Sequence, residues 1–132
     1  MEKSMKMRAI VAVCMAACLV SVASATAGTA TYYTVYTPSA CYGYQDEGTM
    51  IAAASASIYN NGAACGKMYK ITCTSGTNAG VAQPCKSGSV TVKVVDLCPS
   101  PGCQGTFDLS QEAFSAIADT NAGKINIDYV EV

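Results

Sequence analysis

Six cysteines, Cys41, Cys65, Cys73, Cys85, Cys98 and Cys103, lie beyond residue 40 of a 132-residue chain. Their successive spacings of 24, 8, 12, 13 and 5 residues contain no CxxC-type pair, so a thiolate zinc site lacks the pattern it needs. An even set of cysteines in a small chain reads instead as three disulfides. Staples at that density suit a small, loop-rich fold, and a bridge closing a loop of about 25 residues stabilises it by about 3 kcal/mol in the chain-entropy model. The spacings leave open which cysteine joins which.

Disulfides require an oxidising compartment, and the N-terminus supplies a route to one. Lys3, Lys6 and Arg8 oppose a single acid, Glu2, and are followed by Ala9–Val22, fourteen residues that are apolar except for Ser21. Ala23-Ser24-Ala25 then places small residues at a cleavage site, completing the layout of a secretory signal peptide over residues 1–25. Fourteen helical residues reach about 21 Å, short of the roughly 30 Å of a bilayer core, so a membrane anchor is disfavoured. Cleavage is expected after Ala25, with Ala25-Thr26-Ala27 as a second site. Cys14 and Cys18 leave with the leader, and residues 26–132 remain as one expected domain.

That domain holds five lysines (67, 70, 86, 93, 124) against eight acids (46, 47, 96, 108, 112, 119, 128, 131), a net charge of −3, and no Arg. It therefore offers no electrostatic footprint for nucleic acid or anionic lipid. The chain has no His, which excludes Ser-His-Asp and Cys-His catalysis and any His-ligated metal, and it has no Trp. Acid–base chemistry would have to come from carboxylates, Tyr or Lys. Asp46-Glu47 reads as a solvated loop pair without further oxygen ligands for Ca²⁺, so neither metal nor cofactor is expected.

Thr31–Tyr36 is β-branched and aromatic and reads as a first strand, broken by Thr37-Pro38-Ser39-Ala40. Met50–Ser57 is Ala-rich and fits strand or helix. Lys67–Cys73 and Ile125–Tyr129 alternate as half-buried strands, and Ser89–Leu97 is the most β-branched run. Thr74–Ser87 is a polar loop. Ser110 is a helix N-cap with Glu112 in the first turn. Phe114, Ile117 and Ala118 then form a buried stripe beside Ala113, and Asn121-Ala122-Gly123 ends the helix. The sum is an all-β domain with one short helix, a small barrel stapled by three disulfides.

Two carboxylates stand at element ends, Asp96 closing the strongest strand and Asp108 just before the N-cap. Paired acids across a cleft are the minimum apparatus of glycoside hydrolysis. The alternative is structural, with Asp108 accepting backbone N–H groups at the helix entrance and Asp96 tying down the turn before Cys98. Period two puts Tyr33 on one face with Thr31 and Val35, and Tyr32 and Tyr36 on the other with Thr34. Either set would stack on sugars if exposed, or fill the barrel if buried.

Six motifs occur in order: Thr31-Tyr32-Tyr33, Ala40-Cys41-Tyr42-Gly43, Asn61-Gly62-Ala63-Ala64-Cys65-Gly66, Tyr69-Lys70-Ile71-Thr72-Cys73, Val94-Val95-Asp96-Leu97-Cys98-Pro99, and Phe107-Asp108-Leu109-Ser110-Gln111-Glu112-Ala113-Phe114. Together the chain resembles the first domain of plant expansins and the family-45 endoglucanase-like fold, above all the single-domain plant natriuretic peptide-like branch. The resemblance implies a six-stranded double-psi β-barrel with the pairing Cys41–Cys65, Cys73–Cys85 and Cys98–Cys103. It also implies a shallow polysaccharide groove lined by Thr31, Tyr33, Asp96 and Asp108.

Three departures bear on activity. Val35 stands where the endoglucanases carry a first-strand catalytic base, Thr106 stands where expansins have His, and the chain ends at Val132 before any second domain. The resemblance thus implies a non-hydrolytic, monomeric protein secreted to the apoplast, acting in water and solute homeostasis, with Asp108 as a vestigial acid. Its partners would be a cell-wall polysaccharide or a cell-surface receptor. Two alternatives stand beside it: a glycan-cleaving or wall-loosening protein using Asp108 with Asp96, and a barwin-like chitin-binding defence protein.

Overall fold

A computed structural model describes residues 24–77, 80–99 and 101–132. The leader assigned to residues 1–25 lies outside the described residues apart from Ser24 and Ala25. Six strands, β1 (Thr26–Tyr33), β2 (Ile51–Ser55), β3 (Met68–Gly76), β4 (Ser89–Cys98), β5 (Phe107–Ser110) and β6 (Ile125–Glu131), close into a barrel in the order β1-β5-β2-β4-β3-β6. Two of the pairings, β1/β5 and β2/β4, are parallel, and the rest are antiparallel. Closure leaves no strand edge free.

The strongest alternations hold. In β3, Tyr69, Ile71 and Cys73 point inward while Met68 and Lys70 face solvent, and in β6 Ile125 and Ile127 are buried. Phe107, Leu109, Phe114, Ile117 and Val92 are fully buried at the centre. Phe107 meets Tyr69 at 5.1 Å and Tyr129 edge-on at 5.2 Å between ring centroids, distances at which aromatic pairs add to burial. The Ala-rich run resolves as β2, whose Ala52 and Ala54 enter the core between β5 and β4.

The ends of elements differ from the sequence reading. The first strand is Thr26–Tyr33 rather than Thr31–Tyr36, because β6 recruits Thr26 and Ala27 opposite Tyr129 and Asp128. It stops at Tyr33 because its parallel partner Ser110 is where β5 turns into a helix. Gly28 disguised this strand, yet a Cβ there would lie 2.6 Å from Thr106 Oγ1. β5 itself, four residues long, reads in sequence as the approach to a helix.

The helix begins at Ser110 as expected, whose Oγ accepts from Ala113 N at 3.1 Å, but it spans only Gln111–Ile117. Ala118 turns extended to bridge Cys85, and Thr120–Ala122 forms a separate 3-10 turn. A second helix, Ala56–Tyr59, joins the expected one; four residues are too few to display a helical period. The disulfides join Cys41–Cys65, Cys73–Cys85 and Cys98–Cys103.

Candidate functional site

On the outer face of the barrel, four adjacent strands place one residue each in a single transverse row. Thr31 of β1 is the register partner of Asp108 in β5, Asp108 is the partner of Ala53 in β2, and Ala53 is the partner of Asp96 in β4. With strands about 4.8 Å apart, the two aspartate Cα atoms stand about 10 Å apart across Ala53. Ala53 projects only a methyl group between them.

Asp96 reaches this row through a bulge. Val90, Val92 and Val94 point inward, so strict alternation would send Asp96 into the apolar core. The register slips between Ala52 and Ala53, leaving Val95 unpaired, and Asp96 emerges beside Ala53 on the outer face. Its Oδ1 accepts from Ala40 N at 2.8 Å and Leu97 N at 2.9 Å. The structural alternative for Asp96 therefore describes one of its oxygens, which also holds down the loop after β1.

Asp108 is not the helix cap; Ser110 fills that role. Thr31 Oγ1 instead donates to Asp108 Oδ1 at 3.0 Å. Burial pushes the Asp108 carboxyl above its ordinary pKa; the Thr31 bond opposes that rise and the charge of Asp96 adds to it. Tyr33 lies two residues beyond Thr31 on the same face, and its buried hydroxyl has no hydrogen-bond partner. Burial raises the Tyr33 phenol as well, followed by the negative charges of Asp96 and Asp108. The arrangement gathers protonated donors and carboxylate acceptors on a face with a half-buried tyrosine ring.

The period-two assignment of the tyrosines holds within the strand and fails beyond it. Tyr32, partly buried, packs against the core, its ring 4.9 Å from that of Phe114 in the helix. Tyr36, past the end of β1, turns back to meet Tyr33 edge-on at 5.2 Å, on the face the sequence denied it. Its hydroxyl donates to Glu112 and accepts from Gln111 N at 3.1 Å. Tyr36 and Glu112 are thus site-bordering residues that strand periodicity could not find. Val35 is 76% exposed, two residues outside β1. Thr106 serves the framework, its Oγ1 accepting from Thr29 N at 3.1 Å.

A closed six-stranded barrel with this acid-bearing outer face defines an expansin-like double-psi β-barrel. Within that class, the chain belongs to the EG45-like domain family. A relative from Citrus jambhiri, an EG45-like domain containing protein, is 57% identical over 124 residues, covering 92% of this chain and 94% of its own. EG45-like domain containing protein 2 of Arabidopsis thaliana is 40% identical over 93% of each chain. The family model described as lytic transglycolase matches residues 51–129. The expansin of Clavibacter michiganensis superposes with a TM-score of 0.64 at 32% identity, over 83% of this chain and 50% of its own. A mutant of that expansin in complex with cellohexaose superposes at 0.61 with 33% identity. This chain spans half the length of that expansin. Among the described residues no helix is long and apolar enough to cross a membrane.

Proposed function

We propose that this protein binds a neutral polysaccharide strand of the plant cell wall across the Thr31–Asp108–Ala53–Asp96 row, without cleaving it. The observation that carries the reading is the row itself, with the unpartnered Tyr33 hydroxyl beside two carboxylates and a threonine. Such a set can donate to and accept from sugar hydroxyls, and the Ala53 methyl leaves room for a chain to lie flat. The expansin relative solved with cellohexaose supports the ligand class.

Cleavage needs an acid and a base or nucleophile. Asp108, with its raised pKa, suits the acid. The position that would hold a base carries Val35, and Asp96 already accepts two backbone N–H bonds through Oδ1. An acid alone leaves the attacking water unactivated. Cleavage by Asp108 with Asp96 is the second reading, favoured by the two carboxylates flanking Ala53. The absence of Trp and Arg from residues 26–132 weighs against a barwin-like chitin binder.

We propose further that residues 1–25 are a leader, that residues 26–132 act as one monomeric domain in the apoplast, and that the physiological role lies in water and solute homeostasis, through the wall or a cell-surface receptor. Calorimetric titration with cellohexaose and a reducing-sugar assay on soluble β-glucan test the molecular claim. Native protein should bind weakly, Asp108→Asn more weakly at an almost unchanged melting temperature, and neither should release reducing ends. Hydrolysis by the native protein that disappears in Asp108→Asn would establish the second reading instead.

A further inference from the structure

The loop between β1 and β2 closes over the outer face of β2 and leaves a cleft of about 400 Å³ beside the row. Its walls include Tyr36, Tyr44, Gln45, Glu47 and Thr49, and Ile51 lies at its floor; none of Thr31, Tyr33, Asp96 and Asp108 lines it. The volume falls within the roughly 300–1,000 Å³ usual for small-molecule sites. We infer that this cleft is a second sugar subsite, in which Tyr44 stacks on one pyranose ring of a chain whose other rings lie on the row. This inference rests on the polysaccharide reading and extends it to the length of chain recognised.

Continuity between cleft and row is built from two elements. Ile51 and Ala53 share the outer face of β2, so the floor of the cleft is two residues from the centre of the row. Tyr36 lines the cleft while its ring meets Tyr33 edge-on. A ligand leaving the row along β2 therefore enters the cleft directly.

The chemistry of the walls selects a neutral ligand. Two carboxylates, Asp46 and Glu47, line the cleft; Lys93 pairs with Glu47, and Gln45 Nε2 donates to its second oxygen at 2.7 Å. Asp46 Oδ1 accepts from Gly48 N at 2.8 Å, within the loop. Among the described residues no cluster of side chains suits a metal ion. What the cleft offers is an apolar floor, polar walls and the ring of Tyr44, which is 82% exposed. A pyranose has the matching pair of surfaces, an apolar ring face and a rim of hydroxyls.

The walls are also held in place before any ligand arrives. Cys41 is bonded to Cys65, Ala40 N to Asp96, Tyr36 to Glu112 and Gln111, and Thr49 O to the Ser110 hydroxyl. A loop fixed at both ends and in the middle loses little freedom on binding.

The test is calorimetric titration of the native protein, Tyr44→Ala, Tyr44→Phe and Asp108→Asn with cellotriose and cellohexaose. Tyr44→Ala should weaken cellohexaose about fivefold and leave cellotriose unchanged, while Tyr44→Phe, which keeps the ring, should match the native protein. Asp108→Asn should weaken both sugars. Cellohexaose binding that is equal in Tyr44→Ala and native protein, with Asp108→Asn impaired, overturns the subsite and leaves the row intact. Native protein that binds neither sugar overturns the row and the subsite together.

Discussion

Thr31 and Asp108, 77 residues apart in sequence, face each other across the parallel pair β1/β5, and the threonine hydroxyl donates to the carboxylate at 3.0 Å. That bond is the one contact opposing the rise of the Asp108 pKa, which burial causes first and the charge of Asp96 reinforces. A raised folded-state value means that the folded protein holds a proton the unfolded chain has already released. Asp108 therefore contributes stability below the ordinary Asp pKa, and that contribution is lost as pH rises through its raised value. Asp108→Asn should flatten this fall in melting temperature with rising pH. Thr31→Val should shift the Asp108 titration further upward, as read by carboxyl-carbon NMR; a downward shift would contradict the assignment.

The disulfides should contribute unequally. Cys41–Cys65 spans 24 residues and pins the loop that walls the cleft, whereas Cys98–Cys103 spans 5. Replacing Cys41 and Cys65 together by Ser should cost about 2–5 kcal/mol, and replacing Cys98 and Cys103 together should cost less. Denaturant titration of both double variants measures the difference, and equal losses would contradict the loop-length account.

Ser110 serves two structures through one hydroxyl, accepting from Ala113 N and donating to Thr49 O while fully buried. Ser110→Ala removes the helix cap and the tether of the loop at once. A loss of about 1–2 kcal/mol is expected, with faster amide exchange in the Gln111–Ile117 helix and in residues 44–49. Exchange confined to the helix would show that the tether does not restrain the loop.

Removal of the leader proposed for residues 1–25 should respect β1. Thr26 and Ala27 pair with Tyr129 and Asp128, so cleavage after Ala25 preserves the full β1/β6 ladder and cleavage after Ala27 removes its first two rungs. N-terminal sequencing of secreted protein should return Thr26 first. A start at Gly28 should be accompanied by a lower melting temperature than that of protein beginning at Thr26.

Local chemistry was enough to read a good deal of this molecule. Oxidised cysteines followed from their number and spacing, the inward faces of β3 and β6 from their alternation, and the helix start from Ser110, because each depends on neighbours a few residues away. The two aspartates stood out for the same reason, as acids at the ends of expected elements, Asp96 closing a strand and Asp108 just before the helix N-cap. Their relation did not. A bulge at Val95 turns Asp96 outward against the alternation of its own strand, and only the pairing of β4 with β2 requires it. The parallel pairing of β1 with β5 sets Thr31 beside Asp108 and ends the first strand early enough for Tyr36 to fold against Tyr33, while the antiparallel pairing with β6 extends that strand back to Thr26. Those features depend on partners dozens of residues away, and hydrogen-bond register between such partners is decided by how the closed barrel satisfies every strand at once.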